Sequence, residues 1–463
     1  MAPHRAKFAG PRRGEMAVSG AVRADRWASI RRGAFTAATF GMLWMVIIGL
    51  NPLSEKVKTI PATGDGDLAR QLCYSLIFIV ALLASRPLTH PRNLFALPLT
   101  VTIALGWCWL SLSWSAVPDV GMRRLILTSI IMFSIFRSVK EIGHERTIAL
   151  IRLVLLITLV LNYVAIVVTP AAVHQMAEIG DPNLIGNWRG VLPQKNFAGA
   201  ICAFTVILFT FDAQKLQRWL RAVVIVGALF FLYKTHSKTS QGILVLAMIV
   251  GWVYTRYNPS YRALIIPLIS VIGCAGVLYV EMNWDALMAP LHSPDALTGR
   301  TQIWPPLANF ANDHLLTGSG FGSFWNIGPT SPIYQYAEGW VSGIASGHNG
   351  YLDMLVQVGL PGLTLIVISM IIWPMIRLLG SRTAPRQTGA LMLALIVFCM
   401  GHNTTESSLF DRDMVVQQFL SFAVAMVGSV LGTSYAARRA RTDRIPRAQF
   451  IAAQRPLARE GRA

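Results

Sequence analysis

The sequence predicts an all-α, polytopic membrane protein of about twelve transmembrane helices, with one large loop on the outer face between the ninth and the tenth. Three observations carry that reading. Of 463 residues, 54% are hydrophobic and only 14% are charged, with a mean hydropathy of +0.50; a soluble protein carries roughly a quarter charged residues. The apolar residues gather into runs of about 17–22, long enough to cross a hydrocarbon core roughly 30 Å thick. Such runs must be helical, because lipid cannot satisfy free backbone groups. Lysine and arginine, finally, alternate between loops in the positive-inside pattern.

In chain order the spans are expected near 34–50, 68–85, 94–114, 120–138, 148–169, 197–211, 216–234, 239–255, 261–280, 349–376, 387–402 and 414–433. They divide the chain into a basic tail (1–33), spans one to nine (34–280), the large loop (281–348), spans ten to twelve (349–433) and a second basic tail (434–463). Both tails share one side with Arg86, Arg92, Arg137, Lys140, Lys215, Arg218, Arg256, Arg262, Arg382 and Arg386, which puts both termini in the cytoplasm. The formal net charge of +19 therefore reflects topology. Its basic runs lack interleaved aromatics and are read as touching anionic lipid, with no nucleic-acid partner. Ser29–Phe35 (SIRRGAF) is similar to a twin-arginine export signal. The apolar stretch behind it has full membrane length and no small-residue cleavage site, so it is read as the first span with its inside anchor. Cys73, Cys108, Cys202, Cys274 and Cys399 all fall in spans, without metal or redox spacing, and are read as packing residues.

Outside loops are expected at 51–67, 115–119, 170–196, 235–238, 281–348 and 403–413. Within the largest, Ile303, Trp304, Leu307, Phe310, Leu315 and Trp325 predict short amphipathic helices near the membrane surface. Gly318, Gly320 and Gly322 (GSGFG) imitate a phosphate-binding loop, but no strand precedes them and no helix opens at the third glycine, so a turn is expected.

Positive charges outside are informative because the inside rule disfavours them: Lys56, Lys58, Arg70, Arg123, Arg124, Arg189, Lys195, Lys234, Lys238, Arg300 and Arg412. Arg189, Lys195, Lys238 and Arg300 stand beside helix ends and tight polar turns, with Asn196 next to Lys195. Arginine supplies bidentate hydrogen bonds to phosphate oxygens and lysine a compact charge, so a converging set suits a pyrophosphate. The competing reading is that each side chain snorkels to a head group. His348 opens a long apolar helix in Gly347-His348-Asn349-Gly350-Tyr351. There the positive helix end favours an uncharged imidazole, which can accept a proton from a sugar hydroxyl; capping its own helix is the alternative. His402 competes for that role, and Glu406 and Asp411 share its loop and can orient a base or counter an arginine. His314 is read as part of a solvated helix face. No catalytic serine signature, zinc spacing or paired-carboxylate motif appears, which favours chemistry without a metal or other cofactor.

These pieces occur in an order that resembles a known family. Trp188-Arg189-Gly190 with Lys195-Asn196, Ser237-Lys238 in a short turn, Gly299-Arg300 with Trp304, Gly318–Phe324 (GSGFGSF), His348–Leu352 and Val358–Gly362 (VGLPG) together are similar to the O-antigen ligase and O-antigen polymerase superfamily. Thr405-Glu406-Ser407 leans toward its exopolysaccharide polymerase ExoQ branch, and the resemblance covers roughly residues 90–430. It implies many inner-membrane helices, a large periplasmic loop bearing the histidine, a donor glycan on undecaprenyl pyrophosphate and no metal. Carried over by position, it implies pyrophosphate contacts from Arg189, Lys238 and Arg300 and a His348 acting on the acceptor. The site is accordingly expected to use His348 and Arg300 as catalytic residues and Arg189, Lys195, Asn196, Lys238, Asn349, Tyr351 and Glu406 as substrate contacts. Many relatives differ at position 238, where lysine gives charge without the fork of arginine.

The function expected from this resemblance is polymerisation of undecaprenyl-pyrophosphate-linked repeat units by glycosyl transfer. Membrane lipid and the chain-length regulator and flippase of the same pathway are the implied partners. A ligase moving finished polymer to lipid A-core differs only in its acceptor. A transporter or flippase is the rival of another class; it predicts repeated halves, helices broken at the midplane and intramembrane acids, none of which stands out in the sequence.

Overall fold

The structure is a computed structural model in which the described residues are 13–53, 66–175, 184–283 and 299–443; Lys56, Lys58 and the tail beyond 443 lie outside them. The helices are α1 (Arg13–Ile47), α2 (Leu68–Ala84), α3 (Leu99–Ser111), α4 (Pro118–Ile142), α5 (His144–Val168), α6 (Lys195–Thr210) and α7 (Arg218–Thr235). They continue with α8 (Lys238–Arg256), α9 (Arg262–Met282), α10 (Arg300–Asp313), α11 (Gly350–Val367), α12 (Trp373–Gly380), α13 (Arg386–His402) and α14 (Val415–Asp443). A π-helical turn, Ile368–Ile372, joins α11 to α12. No strand forms among the described residues beyond one isolated bridge between Val173 and Trp188. The first helix begins at Arg13, well before the span expected from residue 34, and the last runs on to Asp443. Among the described residues three segments are long and apolar enough to cross a membrane, His144–Val168, Gly350–Gly380 and Val415–Gly432, and Leu68–Ala84, Leu99–Trp114 and Lys195–Thr210 are shorter apolar helices.

Burial sorts these helices into a centre and a periphery. From Ala198 to Phe209 every residue of α6 is buried, and so is nearly all of α13, as expected of helices apolar on all sides. Phe204 of α6 lies between Phe398 of α13 and Phe419 of α14, stacked on the latter at 4.1 Å. By contrast α2 turns Leu72, Leu76, Ile79 and Leu83 outward, and α7 turns out Trp219, Val223, Val226 and Phe230. Apolar surface this continuous matches lipid, not water.

The connections gather at two ends. At one end Leu53, Val191 and Arg189 meet, Trp188 N–H donates to the Lys234 carbonyl, and Asn196 reaches the 403–414 connection. At the other end Glu141 pairs with Arg31, the Arg152 guanidinium donates to the carbonyls of Leu208, Phe211 and Asp212, and Arg262 donates to the Gly380 carbonyl.

Residues 299–349 dock on the first of these ends through a break in α11. Gly359 adopts φ 67°, ψ 179°, and Pro361 lacks an N–H, so the helical ladder opens there. The exposed carbonyls find other donors: Ser319 N–H reaches Val356 O (2.9 Å) and Trp107 Nε1 reaches Val358 O (2.9 Å), while Leu360 N–H donates to Leu315 O (2.7 Å). A Cβ at Gly359 would collide with the Leu316 carbonyl. The expected break-free helix is therefore a docking edge, required by φ > 0 and by a close backbone approach. The amphipathic helix expected in the loop forms as α10, burying Ile303, Leu307 and Phe310. The GSGFG run forms turns, with Gly318, Gly320 and Gly322 all at positive φ, and its amides are taken up by protein: Phe321 N–H by Ser111 Oγ and Gly322 N–H by Gln357 Oε1.

Gly359→Ala should destabilise the protein by about 1–3 kcal/mol, the range for a strained backbone position. Thermal unfolding in detergent reads the change, and limited proteolysis should cut the 299–349 segment sooner than in the wild type. An unaltered midpoint would show that the break is not required.

Candidate functional site

Glu406 follows α13 by one turn, its backbone N–H bonded to the His402 carbonyl at 3.0 Å. Its side chain, only 13% exposed, is held by three elements distant in sequence. Oε1 accepts from Arg300 Nη2 at 2.7 Å and from Asn196 Nδ2 at 2.7 Å, and Oε2 stands 3.5 Å from His348 Nδ1. Burial alone pushes the Glu406 carboxyl upward. The hydrogen bond with His348 and the charges of His348, Arg300 and His402 outweigh that cost and leave it below its ordinary value.

Local structure explains why His348 is available. Asn349 caps α11, its Oδ1 accepting from the N–H groups of Tyr351 (3.1 Å) and Leu352 (3.1 Å). His348 therefore does not cap its helix. It sits before the cap at φ 49°, a left-handed conformation, with its side chain 27% exposed. The flanking backbone is pinned: Gly350 N–H donates to the carbonyls of Asn403 (2.8 Å) and Glu406 (3.1 Å), and Asn349 N–H to Ser407 Oγ (3.1 Å). Trp304 Nε1 holds the Gly347 carbonyl, and Asp353 accepts from Gly347 N–H and Trp325 Nε1. Asp353 is thus a buried acid inside an apolar segment, which sequence reading overlooked, but it lies in the first turn and braces the histidine loop.

His348 and Glu406 line a cavity of about 630 Å³. Val46, Ile47, Leu192, Phe197, Phe321 and Met414 give it apolar walls. Its polar wall carries Arg70, Arg124 and Arg412 with Asp411 and Asp413. Arg70 pairs with Asp413 at 2.8 Å, Arg412 approaches Asp411 (3.4 Å) and Asp413 (3.9 Å), and Arg124 donates to the carbonyls of Gly322, Trp325 and Asn326. Burial alone pulls the Arg412 guanidinium down, but the two carboxylates more than offset this and hold its pKa above the ordinary value. These arginines were legible as outside charges that break the inside rule; nothing local marked them as cavity residues.

The remaining expected residues take several positions. Lys238 is exposed at the start of α8, beside Thr239, whose hydroxyl accepts from Thr405 Oγ1 (2.9 Å) and so ties that turn to the Glu406 connection. Lys195 opens α6, with its backbone N–H on His174 Nε2 (3.1 Å). Arg189 is fully buried and is not among the residues lining the cavity; its Nη1 donates to the carbonyl of Leu192, a wall residue (3.0 Å), and its Nη2 to the Leu53 carbonyl (3.1 Å), so its guanidinium binds backbone. Tyr351 Oη donates to the Met400 carbonyl (2.8 Å), locking α11 to α13. Of the competing histidines, His402 is buried against Phe398, and His314 is exposed with its ring stacked on Phe310 at 4.3 Å. Among the described residues no group of three His, Cys, Asp or Glu side chains is arranged to hold a metal ion.

Because the Glu406 pKa is lowered on folding, its contribution to stability is complete above the ordinary carboxylate value and disappears as pH falls through the lowered one. The Tm gap between wild type and Glu406→Gln should hold steady near neutrality and shrink below about pH 4. A gap that widens on acidification would contradict the charge network.

A search of curated proteins returns no match to the chain. Residues 222–367 match the family model described as O-antigen ligase. The matched segment includes Lys238, Arg300, His348, Asn349 and Tyr351, whereas Arg189, Lys195, Asn196 and Glu406 lie outside it. The matched segment is thus similar to the O-antigen ligase and polymerase superfamily, which points to activity of the lipid-linked glycan transferase type, and the apolar helices point to an integral membrane protein.

Proposed function

We propose that the protein polymerises glycan repeat units carried on undecaprenyl pyrophosphate, at the periplasmic face of a twelve-span inner-membrane bundle, without a metal. The supporting observation is the buried Glu406 carboxylate, joined to both His348 and Arg300 at the edge of a cavity with apolar and cationic walls. A donor with a polyprenyl chain and a charged diphosphate needs both kinds of wall.

In this reading His348 Nδ1–H faces Glu406, which leaves Nε2 with its lone pair toward the acceptor. The acceptor hydroxyl oxygen forms a bond to the anomeric carbon as the bond from that carbon to the phosphate oxygen breaks. The electron pair leaves with the pyrophosphate, and the hydroxyl proton passes to His348 Nε2. Glu406 orients the ring and stabilises the imidazolium that forms, the role a buried carboxylate plays beside a catalytic histidine. Arg300, with Lys238 and the cavity arginines, meets the negative charge developing on the leaving group. Asn196 fixes the Glu406 carboxylate, and Asn349 and Tyr351 hold the histidine loop in place.

His348→Ala should lower polymer yield by about 10²–10⁴, the usual contribution of a general base, while the protein still inserts. His402→Ala should retain more activity. Arg300→Lys, which keeps charge and loses the fork, should fall between wild type and Arg300→Ala. Normal polymer from a well-expressed His348→Ala strain defeats the assignment. A deletion strain separates the acceptors: accumulation of single lipid-linked units with normal lipid A-core supports a polymerase, and full-length polymer left on its lipid carrier supports a ligase.

A further inference from the structure

Helix α1 reaches the reaction cavity with Val46 and Ile47; its opposite half borders a second cavity, of about 590 Å³, shared with α5. Ser29, Arg32 and Thr36 of α1 and Arg146 of α5 form its polar end. Farther along, Ala37, Phe40 and Gly41 line it together with Leu150. From Ser29 to Gly41 the helix advances roughly 18 Å, so the cleft changes from cationic to apolar over a length comparable to one leaflet.

Neighbouring charges are already committed. Arg31 pairs with Glu141 at 2.7 Å, Arg137 with the same carboxylate at 3.0 Å, and Glu145 with Lys215 at 3.6 Å. Arg32 and Arg146 are exposed and form no ion pair with a described residue. At Gly33, between Arg32 and Thr36 of α1, an added Cβ would meet no atom within 4 Å, so the floor of the cleft is open there.

We propose that this cleft binds one anionic phospholipid of the surrounding bilayer, its phosphate between Arg32 and Arg146 and an acyl chain along Ala37, Phe40, Gly41 and Leu150. Two guanidinium groups at the end of an apolar groove match a phosphate ester attached to a hydrocarbon chain. A free phosphate would use the arginines and leave the groove empty. The site stands apart from glycosyl transfer, and its test does not depend on it.

The test uses the purified full-length protein in phosphatidylcholine nanodiscs with and without phosphatidylglycerol, reading bound phosphatidylglycerol by native mass spectrometry. Each arginine near an anionic head group contributes about fivefold in affinity, so Arg32→Gln with Arg146→Gln should weaken retention about twenty-fivefold. Arg86→Gln with Arg92→Gln, which removes the same charge from another connection, should leave retention as in the wild type. Ala37→Leu keeps both arginines and fills the apolar half, and it should also expel the lipid. Equal retention by the double arginine variant, or equal loss in the Arg86 and Arg92 control, would overturn the site. Stabilisation by inorganic phosphate equal to that by phosphatidylglycerol, undisturbed by Ala37→Leu, would assign it to a free anion instead.

Discussion

One end of the molecule is organised by one buried negative charge. Removing a carboxylate from water costs several kcal/mol unless partners replace the lost hydration. Glu406 finds them on α6 (Asn196), at the start of α10 (Arg300) and before α11 (His348). Asn196 is 210 residues away in sequence and Arg300 106, so the carboxylate collects segments that chain connectivity leaves far apart. Its own connection is fixed in turn by Asn403, which accepts from Ser408 N–H and Oγ, and by the Gly350 amide. Loss of any one partner leaves the others around an incompletely compensated charge, and this couples their positions.

That coupling works only if the long segment carrying Arg300 and His348 is itself rigid. The break in α11 supplies the rigidity. A continuous helix would present side chains alone to residues 315–319, whereas the opening at Gly359 presents backbone groups, which bond with fixed geometry. Arg124 adds three hydrogen bonds to carbonyls of the 322–326 turn, and Asp353 ties Gly347 to Trp325. Helix breaks and membrane acids belong to the vocabulary of transporters. Here both face the docked segment at the end that carries Glu406, where they brace a site.

The helical class, the amphipathic α10 and the start of α11 were legible because each is a local pattern: apolar period, charge asymmetry, a polar residue ahead of an apolar run. The shared neighbourhood of His348, Arg300 and Glu406 was legible only as three polar residues at outer helix ends. Arg189 shows where such reading stops. In sequence it is one more outside cation beside a turn; in the fold its guanidinium closes on the carbonyls of Leu53 and Leu192, because a turn with unsatisfied carbonyls lies within reach. Arg70 and Arg412 looked no different, yet they line the cavity. What separates these arginines is which backbone or carboxylate lies across from them, a tertiary fact with no local signature.

The pairing of the cavity arginines bears on the proposed reaction. Arg70 and Arg412 do not wait as bare cations; Asp411 and Asp413 neutralise them. A pyrophosphate entering this wall must replace or share those carboxylates, so its binding exchanges one set of ion pairs for another. Such an exchange is weaker than binding to uncompensated arginines, since part of the electrostatic gain is offset by breaking existing pairs. It also releases the diphosphate carrier more readily after transfer, which suits a site that must discharge a lipid-linked product and accept the next donor. Arg300 differs, because its partner Glu406 is the group that also faces His348. Negative charge developing near Arg300 would draw on the same guanidinium that Glu406 holds, leaving more of the carboxylate to the imidazolium forming beside it. Leaving-group departure and proton uptake would thus be linked through one carboxylate, which is a physical reason for the acid to be buried between the two cations.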